Sequence, residues 1–172
     1  MAELPLPLRA LVPVNQPHLA ALLHFWHSVR GDRSLPRRAE FSFEALRPWL
    51  SHVTLIERVG EPPRFRIRLV GTTIATYLGA DLTGRFLEDA FPSHRQMAGT
   101  RPYHEVWQQA APAYDEMAYD WPGAAIRHVS RLVLPCGDDG RTVDLLVTAI
   151  YARDPEEDVR LARSSLSAGE DD

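Results

Sequence analysis

His128, Cys136 and Asp138 are the residue types of a base, a nucleophile and an orienting acid, and they fall within one short stretch of the chain. Such a trio would carry out group transfer, with the thiolate attacking once the imidazole has taken its proton. The stretch offers no Gly-rich elbow and no helix N-terminus to activate the thiol, and Cys136 sits where a strand meets a hairpin, so a structural role is expected. His24 and His27 stand three apart, a spacing that sets two imidazoles on neighbouring helical turns. No carboxylate or cysteine follows at a supporting distance, so they are read as the polar flank of a helix and no metal site is assigned. Arg64, Arg66 and Arg68 alternate with Phe65, Ile67 and Leu69. Such a row is usually a solvated strand face; the alternative is a ridge that binds carboxylates or a partner, since three guanidiniums on one side of a strand present many donors. Asp115, Glu116 and Asp120 are available to pair with arginines of the sheet. No residue is assigned a catalytic role, and the chain is read as not an enzyme.

The elements that hold these residues follow from periodicity. Leu19, Leu22, Leu23, Trp26 and Val29 recur at helical spacing from about His18, and Gly31 supplies a stop. Phe25 lies off that stripe and widens it enough to touch both the domain and a second copy. Leu19, Leu22, Leu23, Phe25 and Trp26 are therefore candidates for a homodimer or partner surface. Residues 31–40 make a charged loop. Ser42 is then placed to cap a short helix through Trp49, stapled by Phe41 and Leu46. Val53–Val59 and Arg64–Val70 read as strands joined by Gly60-Glu61-Pro62-Pro63. Thr72 or Thr73 would cap a helix through Leu78 that Gly79 ends. After a turn over residues 81–85, Pro92 and Ser93 open a longer helix to about Gln109, with Met97, Tyr103 and Trp107 directed inward. Residues 114–121, 127–135 and 143–151 read as three more strands, the last two joined by a hairpin over residues 136–141. The final strand is apolar on both faces and needs cover on each, which the first helix can supply.

The expected plan is an extended segment over residues 1–17, one domain over 18–152 and a polar, acidic tail over 153–172. The class is α+β, a five-stranded antiparallel sheet with helices gathered on one side. At 172 residues and 45% hydrophobic side chains, such a domain needs neither disulfides nor metal to hold it. A net charge of −4 without any basic run argues against nucleic acid as a partner. All 19 basic side chains are arginine, a bias that suggests a GC-rich bacterial genome. One cysteine and no long apolar run fit a reducing cytoplasm and argue against a signal peptide or membrane span.

Four stretches carry a resemblance: Leu22-Leu23-His24-Phe25-Trp26; residues 64–72; Gly79-Ala80-Asp81-Leu82-Thr83-Gly84-Arg85; and Leu132-Val133-Leu134-Pro135 with Asp138-Asp139-Gly140-Arg141-Thr142-Val143. In this order they resemble a family of mostly stand-alone PAS domain proteins from alphaproteobacteria, over roughly residues 18–151. The resemblance implies strand order 2-1-5-4-3, a cavity between sheet and helices, and a signalling role, without naming a ligand. Tyr77, Phe86, Phe91, Met97, Tyr103 and Trp107 are the cavity candidates, since small-molecule pockets are largely apolar with a few polar tips, although an ordinary filled core has the same composition.

Gly84-Arg85-Phe86-Leu87 resembles the segment that carries a reactive cysteine in blue-light flavin PAS domains. Glycine stands here in place of the thiol, which excludes a cysteinyl-flavin adduct at this position. His94 and His104 lie on the helix that supplies the axial ligand in haem-binding PAS proteins, but their charged and polar neighbours suit surface residues, so haem and flavin are both disfavoured and the cofactor is left unknown. The function expected is a sensory or regulatory module that binds a small ligand, a signalling partner in trans, or both. Two-component proteins are the partner class that the resemblance implies. A ligand carrier without signalling output and a small α+β enzyme are the alternatives.

Overall fold

A computed structural model describes residues 14–91, 96–118, 128–154 and 156. The amino-terminal segment expected to be extended, the helix start expected at Pro92 and Ser93, and most of the acidic tail lie outside the described residues.

Helix α1 spans Pro17–Arg30. Proline suits its first turn, where no backbone N–H is required, and the Gln16 side chain accepts a hydrogen bond from the Leu19 N–H at 2.9 Å. Gly31, at φ 56°, ends the helix. A 3-10 turn at Arg38–Phe41 follows. The helix expected between Ser42 and Trp49 is instead a run of turns. Ser42 Oγ does accept from the Ala45 N–H, but Pro48 has no N–H to continue a ladder and clashes with the preceding turn of a helix.

Strands β1 (Val53–Val59) and β2 (Arg64–Val70) pair antiparallel, with a register irregularity between Leu55 and Ile56. Helix α2 (Thr72–Leu78) is capped by Gly71 and not by Thr72 or Thr73. A Cβ at Gly71 would stand 2.4 Å from the Ser51 carbonyl oxygen, so the chain needs glycine where the strand turns into the helix. Gly79, at φ 69°, closes α2. Helices α3 (Leu87–Ala90) and α4 (Gln96–Gln109) lead to β3 (Ala113–Ala118), β4 (His128–Cys136) and β5 (Leu145–Ala152).

The five strands form one antiparallel sheet in the order β2-β1-β5-β4-β3. Every residue of β5 is buried, as expected of a central strand covered on both faces. Because side chains alternate, Leu146, Thr148 and Ile150 face α2–α4, while Tyr151 faces α1. α1 is tied to that second face at both ends. Trp26 Nε1 donates to the Pro135 carbonyl at 2.8 Å, and the His18 ring stacks on Tyr151 with centroids 4.9 Å apart. Trp49 Nε1 also donates to the His18 carbonyl at 2.9 Å.

Candidate functional site

Between one face of the sheet and helices α2–α4 lies a cavity of about 30 Å³. Thr54 and Ile56 of β1, Ile67 of β2 and Ile150 of β5 form its floor, and Ile74, Leu78, Leu82, Leu87, Phe91 and Tyr103 close it from the helical side. This volume matches the share of liquid that one water molecule occupies, and lies about tenfold below the smallest usual ligand pocket. Side chains fill the rest.

Of the six aromatic and sulfur candidates, Phe91 and Tyr103 line the cavity. Tyr77 is fully buried in α2, but its hydroxyl accepts from the Ala152 N–H at 3.3 Å, which directs it to the end of β5. Phe86 lies under the Arg64 guanidinium at 3.9 Å, and Trp107 packs on Phe65 at 5.8 Å. Met97 is 85% exposed near the start of α4 and does not look inward. The cavity is lined mainly by aliphatic residues, which the reading of aromatic residues as pocket markers passed over. Their period-2 and helical spacing marks them as core, but nothing in that spacing separates a residue beside a void from one without.

The interface candidates divide similarly. Leu19, Leu22 and Trp26 are buried against this chain's own sheet. Leu23 and Phe25 are only partly buried. Phe25 meets the Phe41 ring edge-on at 5.6 Å.

One polar cluster borders the cavity. Arg131 of β4 is 1% exposed, and it holds Asp115 of β3 through two hydrogen bonds of 2.9 and 2.7 Å. Its remaining nitrogen donates to the Gly99 carbonyl in α4 at 2.8 Å, and its guanidinium lies 5.2 Å from the Tyr103 ring centroid. Gly99 is itself pressed on Phe91, since a Cβ there would come within 2.5 Å of that ring. Cavity wall, helix α4 and the β3–β4 pair thus meet at one buried ion pair. Thr148, opposite Thr54 in the ladder, keeps a buried Oγ1 with no hydrogen-bond partner. Asp115 pairs with a sheet arginine as expected, whereas Glu116 reaches Arg153, one residue beyond β5, at 3.4 Å; Asp120 lies outside the described residues.

Each arginine of the β2 row is ion-paired. Arg64 pairs with Asp89 at 2.6 Å, and Arg66 and Arg68 share Glu57. The catalytic trio is dispersed: His128 and Cys136 are the two ends of β4, about 26 Å apart at the usual rise of a strand. Burial, with the Asp144 carboxylate second, pushes the Cys136 thiol up to about 12. Its Sγ donates to the Leu145 carbonyl at 3.5 Å. A thiol whose native pKa exceeds its unfolded value stabilises the fold below the unfolded pKa and loses that contribution as pH rises toward the native one. Denaturant melts of the native chain and Cys136→Ala should therefore converge, or cross in favour of the variant, between pH 9 and 12; a constant difference would show that folding does not raise the thiol pKa. Among the histidines, His24 and His27 are exposed, and burial followed by the Arg30 charge lowers the His27 pKa. No group of three metal-ligating residues occurs among the described residues. His104 packs edge-on against Phe65 at 4.8 Å, and His94 lies outside the described residues.

A single antiparallel sheet in this order, with short helices over one face and α1 behind the other, makes an α+β domain. The family model of the PAS domain matches residues 14–150, and the chain belongs to that family. A comparison with curated proteins returned no match. PAS domains generally serve as sensory or regulatory modules and are generally not catalytic. No helix among the described residues is long and apolar enough to cross a membrane.

Proposed function

We propose that this chain is a non-catalytic regulatory PAS module whose output passes to a partner protein in trans. The observation that carries the reading is the small volume of the central cavity, about 30 Å³. A haem or flavin would have to displace Phe91, Tyr103 and the helices behind them. Input is therefore taken to come from protein contact, or from a small apolar molecule that shifts α4 by entering beside Phe91. The Arg131–Asp115 pair supports this route, because it joins α4 to the outer strands β3 and β4. Two-component kinases and their regulators are the partner class proposed, in the cytoplasm. Self-association through α1 would use Leu23 and Phe25, whose side chains are only partly covered.

The test pairs two measurements on the purified chain. Native mass spectrometry should give the mass of the bare polypeptide, and titration into purified two-component kinases should give saturable binding to a subset of them. A stoichiometric copurified small molecule with no kinase binding would replace this reading by that of a ligand carrier.

A further inference from the structure

A second concavity, of about 390 Å³, lies between the charged loop after α1 and the β4–β5 hairpin. Its volume falls within the range of small-molecule sites. Arg37 and Arg141 line it, and neither has a carboxylate at ion-pair distance among the described residues. That sets them apart from the arginines of β2 and β4, which are paired.

The walls are fixed by backbone hydrogen bonds between the two segments. The Leu35 N–H donates to the Gly140 carbonyl at 3.0 Å, and the Gly137 N–H to the Pro36 carbonyl at 3.1 Å. Gly140, at φ 71°, leaves the floor without a side chain; a Cβ there would lie 3.5 Å from Arg33 Cδ. Two other charged side chains of the groove have partners within the chain. Arg33 is held by both oxygens of Glu40, at 2.6 and 2.8 Å. Asp139 accepts from the Arg141 and Thr142 N–H groups and from Thr142 Oγ1; these bonds, and lastly the Arg141 charge, hold its carboxyl below the usual range and keep it ionised. Asp32 remains at the wall with no hydrogen bond or ion pair among the described residues. Two guanidiniums outside any ion pair, Arg37 and Arg141, suit a carboxylate or phosphate, each of which accepts the planar donor fork of arginine. Asp32 repels a bare polyanion and accepts a donor.

From this we propose that the groove binds a small carboxylate- or phosphate-bearing molecule that also carries a hydroxyl or ammonium donor, at a site separate from the central cavity. The preformed walls limit the ordering cost of binding.

Calorimetry and thermal melts at constant ionic strength would use malate, glycerol 3-phosphate and inorganic phosphate, with sodium chloride as the reference salt. Malate or glycerol 3-phosphate should bind saturably and, at about a hundredfold excess over Kd, raise Tm by about 5–10 °C. Binding should weaken at least tenfold in the double variant Arg37→Gln/Arg141→Gln, whose exposed side chains leave the unliganded melt unchanged. Asp32→Asn should favour inorganic phosphate relative to malate. Equal binding by the double variant, or shifts no larger than those of chloride for all three probes, would overturn the proposal. Neither result bears on the partner-binding reading, which rests on the other cavity.

Discussion

Asp115→Ala is expected to destabilise the native state by about 3 kcal/mol, the lower end for one partner lost from a buried ion pair. The direction follows from unequal burial. The Arg131 side chain is 1% exposed, while that of Asp115 is 22% exposed. Removing the carboxylate leaves a guanidinium inside the fold without this counter-charge. Removing the guanidinium instead leaves a carboxylate that can turn toward water. Arg131→Met, which also keeps much of the apolar volume, should therefore cost less than Asp115→Ala, and the double variant should cost less than the sum of the two. Denaturant melts of all three decide it. Additive losses would mean that the pair acts as two independent side chains, and equal single losses would remove the argument from unequal burial. Hydrogen exchange supplies the functional readout. Because Arg131 also donates to the Gly99 carbonyl, protection should fall first in α4, over residues 96–109, and only later in β1 and β2.

The second large effect is at Trp26. Trp26→Ala should destabilise the chain by about 3–5 kcal/mol, as expected when a large aromatic leaves a core. Trp26→Phe keeps most of the apolar contact and loses the 2.8 Å hydrogen bond to the Pro135 carbonyl, so it should cost about 1–2 kcal/mol. The comparison separates two roles for α1. If the helix is chiefly an interface element, Trp26→Ala would change sedimentation behaviour and leave the melt nearly unaltered. If it is the cover of the sheet, the melt moves first. Burial of Leu19, Leu22 and Trp26 against β4 and β5 favours cover. Leu23→Glu and Phe25→Glu then become the informative interface variants, since those side chains are only partly enclosed.

Much of the architecture was open to reading from residue spacing alone. β1 and β2 begin and end at the expected residues, because alternating Phe65, Ile67 and arginines can serve only a sheet with one dry and one wet face. The unbroken apolar run of β5 demanded a central position with cover on both faces. The failures share a cause. The turn-built segment 42–49 and the glycine cap of α2 depend on how closely Pro48 and Ser51 approach their neighbours, and such steric limits leave no periodic trace.

The same division holds at the sites. Residue types and order alone determined the sheet, its strand order through the family resemblance, the central strand and the amphipathic helix. Tertiary packing alone decided that the aromatic set is scattered, that the cavity shrinks to about 30 Å³, and that Arg131 finds Asp115 and Gly99 across three elements. Hydrophobic pattern specifies which side of an element faces inward, and one period suffices for that. How much empty volume remains, and which buried charge meets which, depends on distances between elements far apart in the chain.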